Sequence, residues 1–232
     1  MGVYLLNKDE IMFPNPKLAE DDGLLAVGGD LSMERLLLAY AHGIFPWYNP
    51  DEEILWWCPK ERFVIFPDEI HVSKSMKKHF RRHVISIAIN RDFKDTMRRC
   101  RMKREDKEGT WISDEIEEAY YKLYEKGFGV SVEAFEDGEL AGGFYGVAMG
   151  KCFFGESMFS EKPSGSKTAL IAFCEYIKTR GIYFIDCQFR TDHLETMGGR
   201  YISFDEYDEM LEKGTGRSRM GMGDVEHENS EA

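Results

Sequence analysis

Long hydrophobic runs are missing from this 232-residue chain. The longest, such as Leu36 to Ala41 around Tyr40, fall far short of the roughly 20 apolar residues of a membrane span. The N-terminus has no charged segment followed by an apolar one, so an unexported, soluble chain is expected. Cysteines are few: Cys58, Cys100, Cys152, Cys174 and Cys187 are odd in number and widely spaced, with no Cys-x-x-Cys pair and no nearby histidine at zinc-finger spacing. That excludes a disulfide framework and a cysteine metal centre, and predicts reduced thiols in a cytoplasm. No metal site of any kind is expected, and there is no internal repeat. A nucleotide phosphate loop is absent too, because Gly165-Ser166-Lys167-Thr168 has an extra Ser before its Lys and lacks the upstream glycine.

Positive charge is also scarce on average. The net charge is −12, which by itself argues against nucleic acid, since phosphates are held by Lys and Arg. The average conceals a segregation. From His71 to Arg104 twelve basic residues face two acids, so this segment carries +10 and the rest −22. Within it Lys74, Lys77, Lys78, Arg81 and Arg82 recur at i, i+3, i+4, i+7 and i+8 and share one helix face. A charge run is usually a solvated face; in an acidic protein it is also a candidate for RNA phosphates.

What remains is an ordinary globular composition, 43% hydrophobic, long enough for one substantial core and a smaller domain beside it. Phe13-Pro14-Asn15-Pro16 reads as loop, and Ser32 as the N-cap of a helix reaching Ala41 or His42 and stopped by Gly43. The aromatic, Pro-punctuated segments 44–48 and 56–59 read as loops, and Phe63 to Phe66 as a short strand. Ser73 caps a basic helix to about His83, Val84 to Ile89 alternates as a strand, Asp92 opens a second basic helix, and Ser113 caps another that ends at Gly127. Val130 to Phe135, Leu140 to Met149 and Cys152 to Phe159 predict an antiparallel meander with a turn at Asp137-Gly138. A helix from Ser166 to about Arg180 and a buried strand from Ile182 to Gln188 follow. The fold class is α/β (α+β): a small N-terminal α/β lobe (1–62), a C-terminal GNAT-like acyltransferase core with basic helices at its start (63–213), and an aperiodic tail (214–232) expected to be disordered.

Candidate chemistry falls at few places. Asp186 and Gln188, two apart on the expected strand, share a face and can act on one reacting group. Glu156 follows Phe153-Phe154-Gly155 in an otherwise uncharged string, where a carboxylate is costly to bury without a partner; it suits a basic ligand or a structural ion pair. Trp47 and Trp111, on loops where packing does not demand Trp, offer faces on which a base can stack. By spacing alone, Phe153, Met158, Leu170, Phe173 and Ile185 are core residues.

Phe45-Pro46-Trp47 with Trp56-Trp57, Gly109-Thr110-Trp111-Ile112, Gly155-Glu156-Ser157-Met158-Phe159-Ser160 and Asp186-Cys187-Gln188 together resemble the leucyl/phenylalanyl-tRNA-protein transferase family. The resemblance runs from about Phe13 to Leu211. It includes Gly23-Leu24-Leu25-Ala26-Val27-Gly28-Gly29-Asp30-Leu31, Gly43-Ile44, His71-Val72-Ser73, Gly142-Gly143-Phe144-Tyr145-Gly146 and Asp192-His193, all in the family's order. It implies an aminoacyltransferase without a cofactor, with no membrane partner. Such an enzyme moves Leu or Phe, with Met as a further donor, from aminoacyl-tRNA to the N-terminal Arg or Lys of an acceptor protein, marking it for N-degron proteolysis. By the same resemblance, Asp186 polarises Gln188, whose oxygen accepts from the attacking α-amino group, and Glu156 receives the basic acceptor. Trp47 and Trp111 stack on the terminal adenosine, and Tyr40 joins the substrate-binding set. Phe153, Met158, Leu170, Phe173 and Ile185 then line a pocket for Leu or Phe, and the five basic residues of 74–82 meet tRNA phosphates.

Two departures stand out. Ser164-Gly165 replaces the family's usual Asp or Asn followed by Ala, with Ser still able to cap and Gly loosening the turn. Phe144 stands where Met is common and is expected to reshape the pocket wall. The runner-up is an acetyl-CoA-dependent small-molecule N-acetyltransferase, but its glycine-paired pyrophosphate cradle is absent from Glu161-Lys162-Pro163-Ser164-Gly165-Ser166. A non-catalytic RNA-binding module would leave Asp186, Gln188 and Glu156 idle.

Overall fold

The computed structural model describes residues 2–105 and 110–216. Its first sheet is built from β1 (Tyr4–Leu6), β2 (Leu24–Gly28), β3 (Phe45–Pro46) and β4 (Leu55–Trp57), with α1 (Met33–Ala41) between β2 and β3. The strand order is β1-β2-β4-β3, with β1 parallel to β2 and the other pairs antiparallel. Ser32 caps α1 by accepting from the Arg35 backbone N–H, and Gly43, at φ 71°, ends the turn that follows. The aromatic segments read as loops carry β3 and β4 instead. Bulky rings favour a pleated, half-buried surface, and Pro46, which has no donor, is tolerated because β3 is an edge strand. A 3-10 turn, Pro16–Leu18, also forms in the proline segment.

The second sheet has seven strands in the order β11-β5-β10-β9-β8-β7-β6. It opens with β5 (Glu61–Ile65), so a division after residue 62 falls within that strand. Next come α2 (Lys74–Arg82), β6 (Ile85–Ile89), α3 (Phe93–Glu105) and α4 (Asp114–Glu125). Ser73 and Ser113 cap α2 and α4 through their hydroxyls, as their positions before helical stripes predict. The antiparallel meander is present as β7 (Gly129–Glu136), β8 (Glu139–Met149) and β9 (Cys152–Ser160).

A crossover helix, α5 (Gly165–Lys178), then leads to β10 (Phe184–Asp186), which lies parallel to β9. Meander, helix and parallel strand are the order expected of the GNAT-like core, and the chain is a mixed α/β protein. α6 (Asp192–Glu195), β11 (Arg200–Ser203) and α7 (Phe204–Thr215) complete it. α7 thus takes in the first residues of the expected tail, and 217–232 lie outside the described residues.

Two local readings need correction. α5 starts at Gly165, and Ser164 sits before it at φ 67° with no side-chain capping bond. Gly165 does more than loosen a turn: a Cβ there would lie 1.8 Å from the Ala141 carbonyl oxygen, so α5 approaches β8 backbone to backbone. The strand expected over 182–188 is only Phe184–Asp186, and Gln188 falls beyond it in the left-handed region, at φ 57°.

The lobes share a core. Leu25, Ala26, Leu36 and Trp56 of the first pack in one apolar cluster with Ile116, Tyr120, Tyr145 and Phe154 of the second. A separate cluster under α5 joins Val132, Phe144, Ala169, Phe173 and Ile177.

Candidate active site

β10 pairs with β9 only along Phe184, Ile185 and Asp186, opposite Cys152, Phe153 and Phe154. Among the described residues β9 continues to Ser160 with no strand beside it on that flank, and the chain after Asp186 turns away. The gap is a cleft of about 940 Å³. Gly155, Glu156, Ser157 and Met158 form one wall, and Cys187, Gln188 and Phe189 the other.

Glu156 reaches the cleft through a β-bulge. Tyr145 pairs with Ser157 and Gly146 with Gly155, so Glu156 is the extra residue of β9, and a bulge re-aims the side chain it inserts. Its Oε1 accepts from Tyr40 Oη at 2.7 Å and its Oε2 from Tyr120 Oη at 3.2 Å, while the two hydroxyls lie 2.5 Å apart. Burial pushes the carboxyl up to about 7, against the pull of the two tyrosine hydrogen bonds. Tyr40 is buried and does not line the cleft. It acts on the site through Glu156.

Asp186 is fully buried and also absent from the cleft wall. Arg62 of β5 donates to both its oxygens, Nε at 2.9 Å to Oδ1 and Nη2 at 2.9 Å to Oδ2. Tyr207 of α7 donates to Oδ2 at 2.7 Å, and the backbone N–H of Gln188 to Oδ1 at 2.9 Å. The side-chain pairing of Asp186 with Gln188 implied by the resemblance is therefore not formed. The carboxylate holds the Gln188 backbone, and the Gln188 side-chain Nε2 is buried without a hydrogen-bond partner among the described residues. Left-handed backbone at a non-glycine residue costs about 1–3 kcal/mol and persists only where the surroundings impose it. Here Asp186 imposes it from one side, and β5 from the other, where Phe63 N–H bonds to the Gln188 carbonyl at 3.4 Å.

The apolar floor contains Phe144, Phe153, Met158, Leu170 and Ile185. Phe173 stands one layer behind, its ring 4.9 Å from that of Phe153 and 5.3 Å from that of Phe144, and does not reach the cleft. The Phe144 departure does contribute to the wall. At the mouth, Trp47 is 45% exposed and packs against Trp57 and Phe189, with ring centroids 5.7 and 5.5 Å away; Trp111 lines the cleft as well. Gly109, at the start of the Trp111 motif, lies outside the described residues.

Lys74, Lys77, Lys78, Arg81 and Arg82 form the exposed face of α2, around a buried Met76, and none lines the cleft. Among the described residues none of the five is in an ion pair, whereas Arg98, Arg99, Arg101 and Lys103 of α3 all are.

Sequence reasoning gave no site role to Arg62, Tyr120, Tyr207, Lys103 or His193, although His193 stood in the Asp192-His193 motif. Lys103 and His193 line the cleft, and His193 Nε2 lies 3.5 Å from Ser166 Oγ. A buried acid at Asp186 requires a cation, which was the available signal for Arg62; Lys103 was already counted in the basic segment.

A carboxyl pushed up by burial and an amide held in left-handed backbone thus line one cleft over an apolar floor, where parallel strands part, in a mixed α/β protein. The comparisons narrow this class. The family described as leucyl/phenylalanyl-tRNA protein transferase matches residues 64–212, and its N-terminal domain matches residues 29–60. The leucyl/phenylalanyl-tRNA--protein transferase of Desulfatibacillum aliphaticivorans is 48% identical over 227 residues, covering 96% of this chain and 97% of that protein. Its counterpart in Anaeromyxobacter sp. (strain Fw109-5) is 49% identical over 208 residues, 89% of this chain and 88% of that one. The chain belongs to the leucyl/phenylalanyl-tRNA-protein transferase family. It is an aminoacyltransferase with an aminoacyl-tRNA as donor and a protein as acceptor, and the acetyl-CoA reading is not favoured. A solved aminoglycoside acetyltransferase from an uncultured soil metagenomic sample aligns at a TM-score of 0.34 and 13% identity, over 62% of this chain and 93% of that one, too weakly to argue from. Among the described residues, no helix is long and apolar enough to cross a membrane.

Two outcomes follow from this geometry. Asp186→Ala leaves the Arg62 guanidinium buried and unpaired, so it should cost about 3–5 kcal/mol of stability, read as a lowered urea midpoint; an unchanged midpoint would contradict the anchoring role. With burial pushing Glu156 up to about 7 from its ordinary 4.5, the folded state binds more protons between those values and its stability falls as pH rises through them. Glu156→Gln removes this titration, and the Tm of the variant minus that of the parent should rise from pH 5 to 8, by the equivalent of up to about 3 kcal/mol.

Proposed function

We propose that the chain transfers Leu or Phe, with Met as a further donor, from aminoacyl-tRNA to the N-terminal Arg or Lys of acceptor proteins in the cytoplasm, marking them for N-degron proteolysis. The observation that carries this reading is Glu156 opposite Gln188 across an apolar cleft, in a chain of this family. In the reaction the acceptor's α-amino nitrogen forms a bond to the aminoacyl carbonyl carbon, and the ester bond to the terminal ribose oxygen breaks. One proton leaves the amine and one is gained by the departing hydroxyl.

Gln188 orients the amine, its side-chain oxygen accepting from the amine N–H; a neutral amide is too weak a base to do more. Glu156 attracts the acceptor's ammonium and, poised near neutrality, takes the proton the amine must lose. Phe144, Phe153, Met158, Leu170 and Ile185 receive the Leu or Phe side chain. A pocket of this kind discriminates by about 1–3 kcal/mol per methylene, which admits several large apolar groups and disfavours small ones. Trp47 and Trp111 stack on the terminal adenosine, and the unpaired cations of α2 take tRNA phosphates.

Incubation with radiolabelled Leu-tRNA and a protein beginning with Arg should give label at the acceptor's N-terminus, and none when that residue is acetylated. Gln188→Ala should lower this transfer at least about tenfold with an unchanged urea midpoint, and wild-type rates in the variant would remove Gln188 from the chemistry. The helix is tested separately by salt. Binding of aminoacyl-tRNA should weaken steeply as salt rises from low to physiological levels, and Lys77→Glu or Arg81→Glu should both weaken it and flatten the dependence; equal slopes in all three proteins would make α2 a solvated face.

A further inference from the structure

Away from the cleft, one cluster has the donor set of a metal site. His79 and His83 lie one turn apart at the end of α2, on the same inward side as Met76, with ring centroids 4.9 Å apart. They face the turn between β7 and β8. His79 Nε2 is 3.3 Å from Glu136 Oε2, and His83 Nδ1 is 3.2 Å from Glu136 Oε1 and 2.7 Å from Asp137 Oδ2. One donor atom from each of His79, His83 and Glu136 lies within 4.8 Å of the other two.

Ligands about 2.0–2.1 Å from a tetrahedral ion sit about 3.3–3.4 Å from one another. The two contacts of Glu136 already have that spacing, and Asp137, which contacts His83, stands outside the group. The carboxylates are held for the purpose. Asp137 is fixed by its own N–H on the Val84 carbonyl at 2.9 Å and by Oδ1 accepting from Val84 N–H at 2.8 Å, which turns Oδ2 toward His83. Such outer contacts orient metal ligands. Lys162, the neighbouring cation, bonds the Glu136 carbonyl and the Glu139 carboxylate and leaves the Glu136 carboxylate to the histidines. His79 Nε2 is shielded from water and makes no hydrogen bond among the described residues.

Two carboxylates and two imidazoles reach neutrality with either two added protons or one divalent ion. One ion satisfies His79, His83 and Glu136 from a single point, including the His79 nitrogen that the hydrogen bonds leave out. It also places positive charge at the C-terminus of α2, where the helix dipole favours it. We propose that His79, His83 and Glu136 bind a divalent first-row transition ion, most naturally zinc, which two imidazole nitrogens, one carboxylate oxygen and a water suit, with Asp137 alongside at His83. This departs from the expectation of no metal, which rested on cysteine spacing. None of the four residues lines the cleft, so the ion's role is to pin α2 to the β7–β8 turn.

The test uses tag-free, chelator-stripped protein titrated with Co²⁺. One equivalent should bind per chain with the visible d–d absorption of a four-coordinate nitrogen and oxygen site, and Zn²⁺ should displace it and raise the Tm. His79→Ala and, separately, Glu136→Gln should each weaken binding by at least the 10- to 100-fold that loss of an outer-shell partner costs, with far-UV circular dichroism unchanged in at least one of them. Absence of the band, equal affinity in the folded variants, or a near-ultraviolet sulfur-to-cobalt transition placing the ion on a cysteine would each overturn the proposal.

Discussion

A carboxylate and a guanidinium taken out of water together are tolerated only when the remaining oxygens and protons find partners, and the Asp186–Arg62 pair dictates what lies around it. Its donors come from three places: Arg62 from β5, Tyr207 from α7, and a backbone amide from the turn after β10. Satisfying one buried acid therefore fixes a strand, a helix and a turn relative to one another. The Arg62 guanidinium also lies over the rings of Phe45 and Tyr207, at 4.7 and 4.8 Å, which brings the first lobe into the same arrangement. Gln188 takes its unusual backbone from this anchor, and that backbone is what carries its side chain into the cleft wall.

The cleft follows from a topological conflict. β9 is held by β8 along its whole length, but β10 is short and must turn to bring Gln188 N–H onto Asp186, so the parallel pair parts after Phe154. Divergence leaves an opening that side chains from both strands line, with the α5 residue Leu170 closing the floor. The cleft thus lies at an interruption in the sheet, where among the described residues β9 has backbone on one flank without a neighbouring strand.

Local signals were legible in the sequence and relational ones were not. Ser32, Ser73 and Ser113 announced helix starts because a cap acts within four residues, and the β7–β9 meander was legible because its turns are short. The strand character of Trp56 and Trp57 was hidden by flanking prolines, since pairing with β2 and β3 decides it. Arg62 is 124 residues from Asp186 and Tyr207 is 21 away, so no spacing rule joins them. Glu156 could be singled out as an acid in apolar company, but its bulge depends on register against β8. Trp47, Trp111, Phe153, Met158, Leu170 and Ile185 came from the family resemblance and all reach the cleft. Tyr40 and Phe173 came by the same route and stand a layer behind, because a motif marks a neighbourhood without marking which side chain faces the opening.

The hydroxyl that Tyr40 lends to Glu156 crosses from one lobe to the other: α1 belongs to the first sheet's unit, the carboxyl to the second. Both tyrosine contacts lower the proton affinity of Glu156 against the opposing effect of burial. A displacement of α1 by an ångström would remove one donor and let the carboxyl's affinity climb further. The protonation of Glu156 therefore registers whether the two lobes are seated against each other.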